Sequence, residues 1–114
     1  MSECLFCRIA RGEIPANQVA ENDEAIAFRD IAPQAPTHVL IIPRKHVADS
    51  AAEIGAGQAR LLGAVFELAA SVARSEKLEQ GWRLVTNVGP QGGQTVAHLH
   101  FHLLGGRPMR WPPG

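Results

Sequence analysis

Hydrophobic and polar positions alternate most sharply near the end of this chain, where His98, His100 and His102 are interleaved with Leu99, Phe101 and Leu103. A period of two belongs to an extended strand, whose side chains point to opposite faces. The pattern therefore predicts a strand over residues 96–104 with three imidazoles on one face and an apolar layer on the other. Upstream, residues 4–10 read as a short helix stopped by Gly12, with Pro15 excluding continuation. Residues 19–21 and 25–30 read as a hairpin joined at Asn22-Asp23. Pro33 and Pro36 mark a loop, and His38-Val39-Leu40-Ile41-Ile42 is a strand-forming run closed by Pro43. Ser50-x-x-Glu53 resembles a capping box, and Ile54, Leu61, Leu62, Val65, Leu68, Ala69 and Val72 recur at helical spacing. Gly55, Gly57 and Gly63 weaken the early part of that pattern, which moves the expected start of a long helix to near Gln58. A fourth strand is expected over 82–88, followed by a glycine-rich turn over 89–94. Links this short do not allow parallel crossovers, so the order favours an α+β fold with a largely antiparallel sheet.

Composition narrows the partners. A chain of 114 residues suits one domain, here residues 1–114, and a domain of that size buries roughly 65% of its unfolded surface. Eleven basic residues balance eleven acidic ones, and no like-charge block exceeds Arg44-Lys45. Neither duplex nucleic acid nor an anionic membrane surface is an expected partner. The longest mostly apolar stretch, 61–73, is broken by Glu67 and Ser71 and falls short of the ~20 residues of a bilayer span. Met1-Ser2-Glu3-Cys4 lacks the basic and apolar segments of a signal peptide, so a cytoplasmic location is expected. In a reducing compartment the only cysteines, Cys4 and Cys7, point to metal binding or redox work more than to a structural disulfide.

Neighbours in the histidine row would lie about 6.6 Å apart at Cα and the outer two about 13 Å apart. His98 and His102 are thus poorly placed to share one ion, since zinc bonds nitrogen at about 2.0–2.1 Å. A solvated polar face would more usually carry Thr, Lys, Arg or Glu. Imidazole that is partly neutral near pH 7 can instead attack phosphorus, with flanking imidazoles donating hydrogen bonds to phosphate oxygens or a leaving group. His100, with a neighbour on each side, is the natural nucleophile. Gly92-Gly93 just upstream lets backbone N–H groups approach an anion, though such a pair also serves as a plain turn.

The run from Gly92-Gly93-Gln94-Thr95 through His98-Leu99-His100-Phe101-His102-Leu103-Leu104-Gly105-Gly106-Arg107, followed by Trp111-Pro112-Pro113-Gly114, resembles the histidine triad superfamily. The likeness is greatest to its histidine triad nucleotide-binding branch. Phe28-Arg29-Asp30-Ile31-Ala32-Pro33-Gln34-Ala35-Pro36-Thr37-His38 and Ile42-Pro43-Arg44-Lys45-His46 resemble the same family, and only residues 48–80 lack diagnostic positions. The resemblance implies a homodimer whose two five-stranded sheets join into one of ten strands. It implies a purine nucleoside phosphoramidase in which His100 attacks the α-phosphorus, giving a nucleotidyl-histidine that water resolves. His102 and His98 would assist at the phosphate and leaving group, the His98 carbonyl would fix the tautomer of His100, and His38 would lie beside the nucleophile.

Phe28 and Ile31 would form the purine slot and Asp30 would accept from the ribose hydroxyls, as an ionised carboxylate is a pure acceptor. Phe28 and Ile31 equally suit the core, and Asp30 equally suits a cap on the Pro33 turn. Asn87, Gly93, Gln94 and Thr95 would contact phosphate and leaving group. Trp111 would reach across the dimer or anchor the tail. Some bacterial members with a Cys-x-x-Cys pair resemble zinc proteins, which implies a structural zinc on Cys4, Cys7, His46 and His98, a closed four-ligand set. Catalysis itself would need no cofactor.

Three alternatives remain at this level. A dinucleoside polyphosphate hydrolase is one, although that branch carries glutamine near the place of Leu104. A nucleotide-binding regulatory module with incidental hydrolysis is another. A thiol oxidoreductase using Cys4 and Cys7 is the third, although the pair does not follow the first strand of a βαβ unit.

Overall fold

The computed structural model describes residues 4–114. Helix α1 (Leu5–Ala10) precedes strands β1 (Gln18–Glu21), β2 (Ala25–Arg29) and β3 (Thr37–Pro43). Helix α2 (Ala59–Ser75) follows, and then strands β4 (Trp82–Val85) and β5 (Phe101–Gly105). The five strands form one sheet in the order β1-β2-β3-β5-β4, with every neighbouring pair antiparallel. The fold is α+β, as the links predicted. No helix among the described residues is long and apolar enough to cross a membrane.

The two faces of the sheet are covered by different helices. Ala25 and Ala27 of β2 and Val39 and Ile41 of β3 pack with Leu61, Val65, Leu68 and Val72 of α2. The alternate residues Ile26, Phe28, Leu40 and Ile42 pack with Phe6 of α1 on the other side. This is why β3 is buried along its whole length: a strand clothed on both faces reads as a continuous apolar run. The small residues Ala25 and Ala27 face the larger helix and let it approach the sheet closely.

Several expected boundaries move. Cys4 is the N-cap of α1 and not its first residue. Ser50 caps only a single 3-10 turn, Ala51–Glu53, while Glu53 turns its carboxylate to the backbone N–H of Asp49 at 2.7 Å. The long helix begins at Ala59, one residue past the expected start near Gln58. β4 stops at Val85, short of Val88, and β5 begins at Phe101, so His98 and His100 lie ahead of the regular strand. The ladder ends there because Pro43 closes β3 with no N–H to donate and the pairing with β3 reaches only Ile41 and Phe101.

Candidate active site and metal centre

Ahead of β5 the backbone finds other partners. The hydroxyl of Thr86 donates to the carbonyl of His100 at 2.8 Å, Leu99 N–H donates to the carbonyl of Ala48 at 2.9 Å, and His98 N–H donates to that of Val96 at 2.9 Å. The alternation nevertheless persists through the irregular segment. Leu99, Phe101 and Leu103 enter the core under α2, while the rings of His98 and His100 meet Phe6 on the α1 side. His98 and His100 are only 0% and 4% exposed, so these two rings are enclosed, whereas His102 is half-buried.

Nδ1 of His100 lies 2.7 Å from the carbonyl oxygen of His98. A carbonyl only accepts, so Nδ1 carries the proton and Nε2 keeps the lone pair in the neutral ring. His38 lies against His102, one place further along the row than the resemblance implies, with Nε2 2.9 Å from Nδ1 of His102. The backbone N–H of Gln34 donates to Nδ1 of His38 at 3.0 Å. Nε2 of neutral His38 therefore holds the proton and donates to His102, which places the His102 proton on its own Nε2. Burial holds both groups neutral near pH 7: it pushes His38 below its usual range against the pull of Asp30. Burial, reinforced by His100 and His38, brings His102 down to about 4. The row thus offers a lone pair on His100 and an N–H on His102.

Asp30 divides its carboxylate. One oxygen accepts from the N–H of Ala32 at 2.8 Å and braces the turn, while the other lies 3.5 Å from Nε2 of His38. Asp30, His38 and His102 bring three potential ligand atoms within 4.8 Å of one another. That set is unsuited to a metal, because the N–H of Gln34 occupies Nδ1 of His38 and leaves a proton where a ligand lone pair would be needed.

His100 and His102 line a cleft of about 610 Å³ whose walls include Leu5, Phe6, Phe28, Asp30 and Thr95. Ile31, 101% exposed, sits on its rim. Phe28 is a buried member of the α1-side cluster as well as a wall of the cleft. Asn87 and Gln94 shape the glycine-rich turn: Asn87 donates to the carbonyl of Gly92 at 2.6 Å, and Gln94 accepts from Gly89 N–H at 3.0 Å. Gly93 adopts φ of 81° there, a conformation that disfavours a side chain. Phe6, Leu5 and Ile9 were not singled out from sequence, although their apolar spacing within a short helix that also carries Cys7 was the available signal.

Across α1 from this cleft, Cys4, Cys7, His46 and His98 present four ligand atoms within 4.8 Å of one another. Nδ1 of His98 lies 3.2 Å from Sγ of Cys4 and 3.6 Å from that of Cys7, and Nδ1 of His46 lies 3.3 Å from Sγ of Cys7. Tetrahedral zinc with bonds of about 2.3 Å to sulfur and about 2.0–2.1 Å to nitrogen has an S···N edge of about 3.5 Å. The donor types and their spacing fit that ion. Cys7 N–H donates to Sγ of Cys4 at 3.4 Å, which suits a thiolate. Nε2 of His98 is fully buried and turned toward the Pro43 carbonyl without a well-formed hydrogen bond.

The HIT domain family matches residues 11–109. The chain belongs to the histidine triad (HIT) family. Among solved structures it is similar to a HIT family hydrolase from Legionella pneumophila, with TM-score 0.94 and 54% identity over 98% of this chain and 100% of that one. A 14 kDa zinc-binding protein of Zea mays is 48% identical over 99% of this chain and 89% of its own length. The protein named adenylylsulfatase HINT1 of Arabidopsis thaliana is 46% identical over 99% of this chain and 78% of its own length. Within the HIT family the chain falls in the histidine triad nucleotide-binding branch.

Proposed function

We propose that this HIT chain, one domain over residues 1–114, is a cytoplasmic purine nucleoside phosphoramidase that hydrolyses AMP- or GMP-amine phosphoramidates through a nucleotidyl-histidine. The observation that carries this reading is the contact between His100 Nδ1 and the His98 carbonyl, which leaves the Nε2 lone pair on a buried ring lining the cleft. In the first half-reaction Nε2 of His100 bonds to the α-phosphorus, the P–N bond breaks, and the leaving amine takes a proton from solvent while the N–H of neutral His102 donates a hydrogen bond to a phosphate oxygen. In the second, water attacks phosphorus, gives its proton to solvent and releases His100 and the nucleoside monophosphate. Covalent catalysis divides one difficult displacement into two easier ones. Phe28 and Ile31 flank the purine, Asp30 accepts from the ribose, and Asn87, Gly93, Gln94 and Thr95 form the phosphate and leaving-group side. His98 and His38 orient His100 and His102.

The Cys4, Cys7, His46 and His98 cluster is read as a structural zinc site, supported by its spacing and by the name of the maize relative. Zinc bound there would close a four-ligand site without an open position, and catalysis would need no cofactor. A homodimer with a ten-stranded sheet is supported by the unpaired edge of β4 and by the exposure of Trp82 and Trp111. Steady-state release of amine from adenosine and guanosine 5'-phosphoramidates, compared with diadenosine polyphosphate and adenylyl sulfate, tests the assignment. Phosphoramidates should give the highest kcat/KM; faster cleavage of the polyphosphate would favour the dinucleotide reading, and purine binding without turnover would favour a regulatory module.

A further inference from the structure

His46 is held from both ring nitrogens. Nδ1 faces Sγ of Cys7 at 3.3 Å, and Nε2 meets Oδ1 of Asp49 at 2.6 Å. We propose that Asp49 is a positioning residue of the metal centre, its carboxylate fixing the tautomer of His46 and strengthening it as a ligand. The proposal rests on reading Cys4, Cys7, His46 and His98 as a metal site.

The argument begins with proton inventory. A neutral imidazole has one N–H and one lone pair, and an ionised carboxylate only accepts. Asp49 therefore claims the proton at Nε2 and leaves the lone pair on Nδ1, the nitrogen turned toward the thiols. The carboxylate behind the ring also fixes its orientation with Nδ1 toward the thiols, as outer partners of metal-bound histidines do.

Asp49 is itself set in place. Its N–H donates to Glu53 at 2.7 Å, and its carbonyl accepts from the Gln94 amide at 2.6 Å. The preceding carbonyl, Ala48, accepts from Leu99 N–H at 2.9 Å, which fastens this segment to the residue that follows His98. The carboxylate is thus oriented by bonds that do not involve a metal. The two imidazoles of the cluster are also treated unequally. His98 is enclosed and has no well-formed partner at Nε2, whereas the His46 side chain is 32% exposed. The ligand most open to competing water is the one braced by a carboxylate. Through Gln94 the same segment is joined to the glycine-rich turn beside the cleft.

The test is competition for Zn²⁺ between a chromophoric chelator and the wild-type, Asp49→Asn and Asp49→Ala chains. Outer partners of metal ligands typically change affinity about 10- to 100-fold, and the exposure of this pair puts the expected loss for Asp49→Ala near the lower end. Asp49→Asn, which keeps an acceptor oxygen but no charge, should lie between alanine and wild type. Metal-free melting temperatures should agree among the three, and Co²⁺-loaded Asp49→Asn should keep the intense ligand-field bands of a tetrahedral S2N2 site while binding more weakly. Wild-type affinity in Asp49→Ala would overturn the proposal and leave the metal site standing. A wild-type chain that takes up no zinc would overturn both.

Discussion

The ring of Phe6 stands edge-on to that of His100, with centroids 5.0 Å apart and planes inclined by 75°. Phe6 also meets Phe28 edge-on at 5.8 Å, and it lies in sequence between the two cysteines of the metal cluster. A metal held by Cys4, Cys7, His46 and His98 would therefore fasten the short helix that carries it on one side, while the helix forms a wall of the cleft on the other. Six helical residues have little stability of their own.

Removing the metal should accordingly loosen the wall and weaken nucleotide binding. Coupling between sites is typically 5- to 150-fold, and AMP affinity measured by calorimetry should fall by roughly tenfold in protein stripped by a strong chelator, or in Cys7→Ser. By reciprocity, AMP should raise zinc affinity by the same factor. Identical AMP affinity in loaded and stripped protein would show that α1 holds its place without the ion.

Asp30 makes a separable contribution. Its bond to Ala32 N–H can be made by asparagine, whereas acceptance from two ribose hydroxyls depends on the charge. Charge-assisted hydrogen bonds are roughly twice as strong as neutral ones. Asp30→Asn should weaken AMP by about tenfold and leave its 2',3'-dideoxy analogue nearly unaffected in the same titration. Equal losses for the two ligands would mean that the residue acts through the turn.

Burial that keeps His102 neutral also makes stability depend on pH. Its folded value of about 4 lies below the ordinary 6.5, so between those values the unfolded chain binds a proton that the folded chain refuses. The stabilisation is fully present above pH 6.5 and is lost as pH falls toward 4. At pH 5 the loss from this one group is about 2 kcal/mol by linkage. Urea midpoints at pH 7.5 and pH 5 should therefore separate less in His102→Asn than in wild type. The cysteine–histidine cluster is common to both chains, so the difference reports His102 together with its partner His38. An equal separation would contradict the burial argument.

Much of the fold was legible because local chemistry and global packing agree. The Asn22-Asp23 turn, Pro43 and the apolar spacing around Leu61, Val65 and Val72 each mark an element that the sheet and helix then use. The two faces of the histidine row were legible for the same reason. The strand boundary was not, because regular pairing depends on Pro43 and Thr86, residues distant in sequence from His100. The partner of His38 was similarly hidden. Residues 38 and 102 meet diagonally across β3 and β5, where His38 pairs with Leu104 and His102 with Leu40, and that register is set by the whole sheet. Phe6 escaped notice because a single aromatic residue in a short amphipathic segment has no periodic signal to distinguish a cleft wall from a core contact.

The central claim is that His100 is the nucleophile. Mixing the protein with adenosine 5'-phosphoramidate, quenching within the first turnover and mapping the adduct by mass spectrometry tests it most directly. The adenylyl group should reside on His100, and His100→Ala should bind AMP as wild type does while losing turnover, since only the covalent step is removed. An adenylyl group on any other residue, or turnover that survives in His100→Ala, would contradict the assignment.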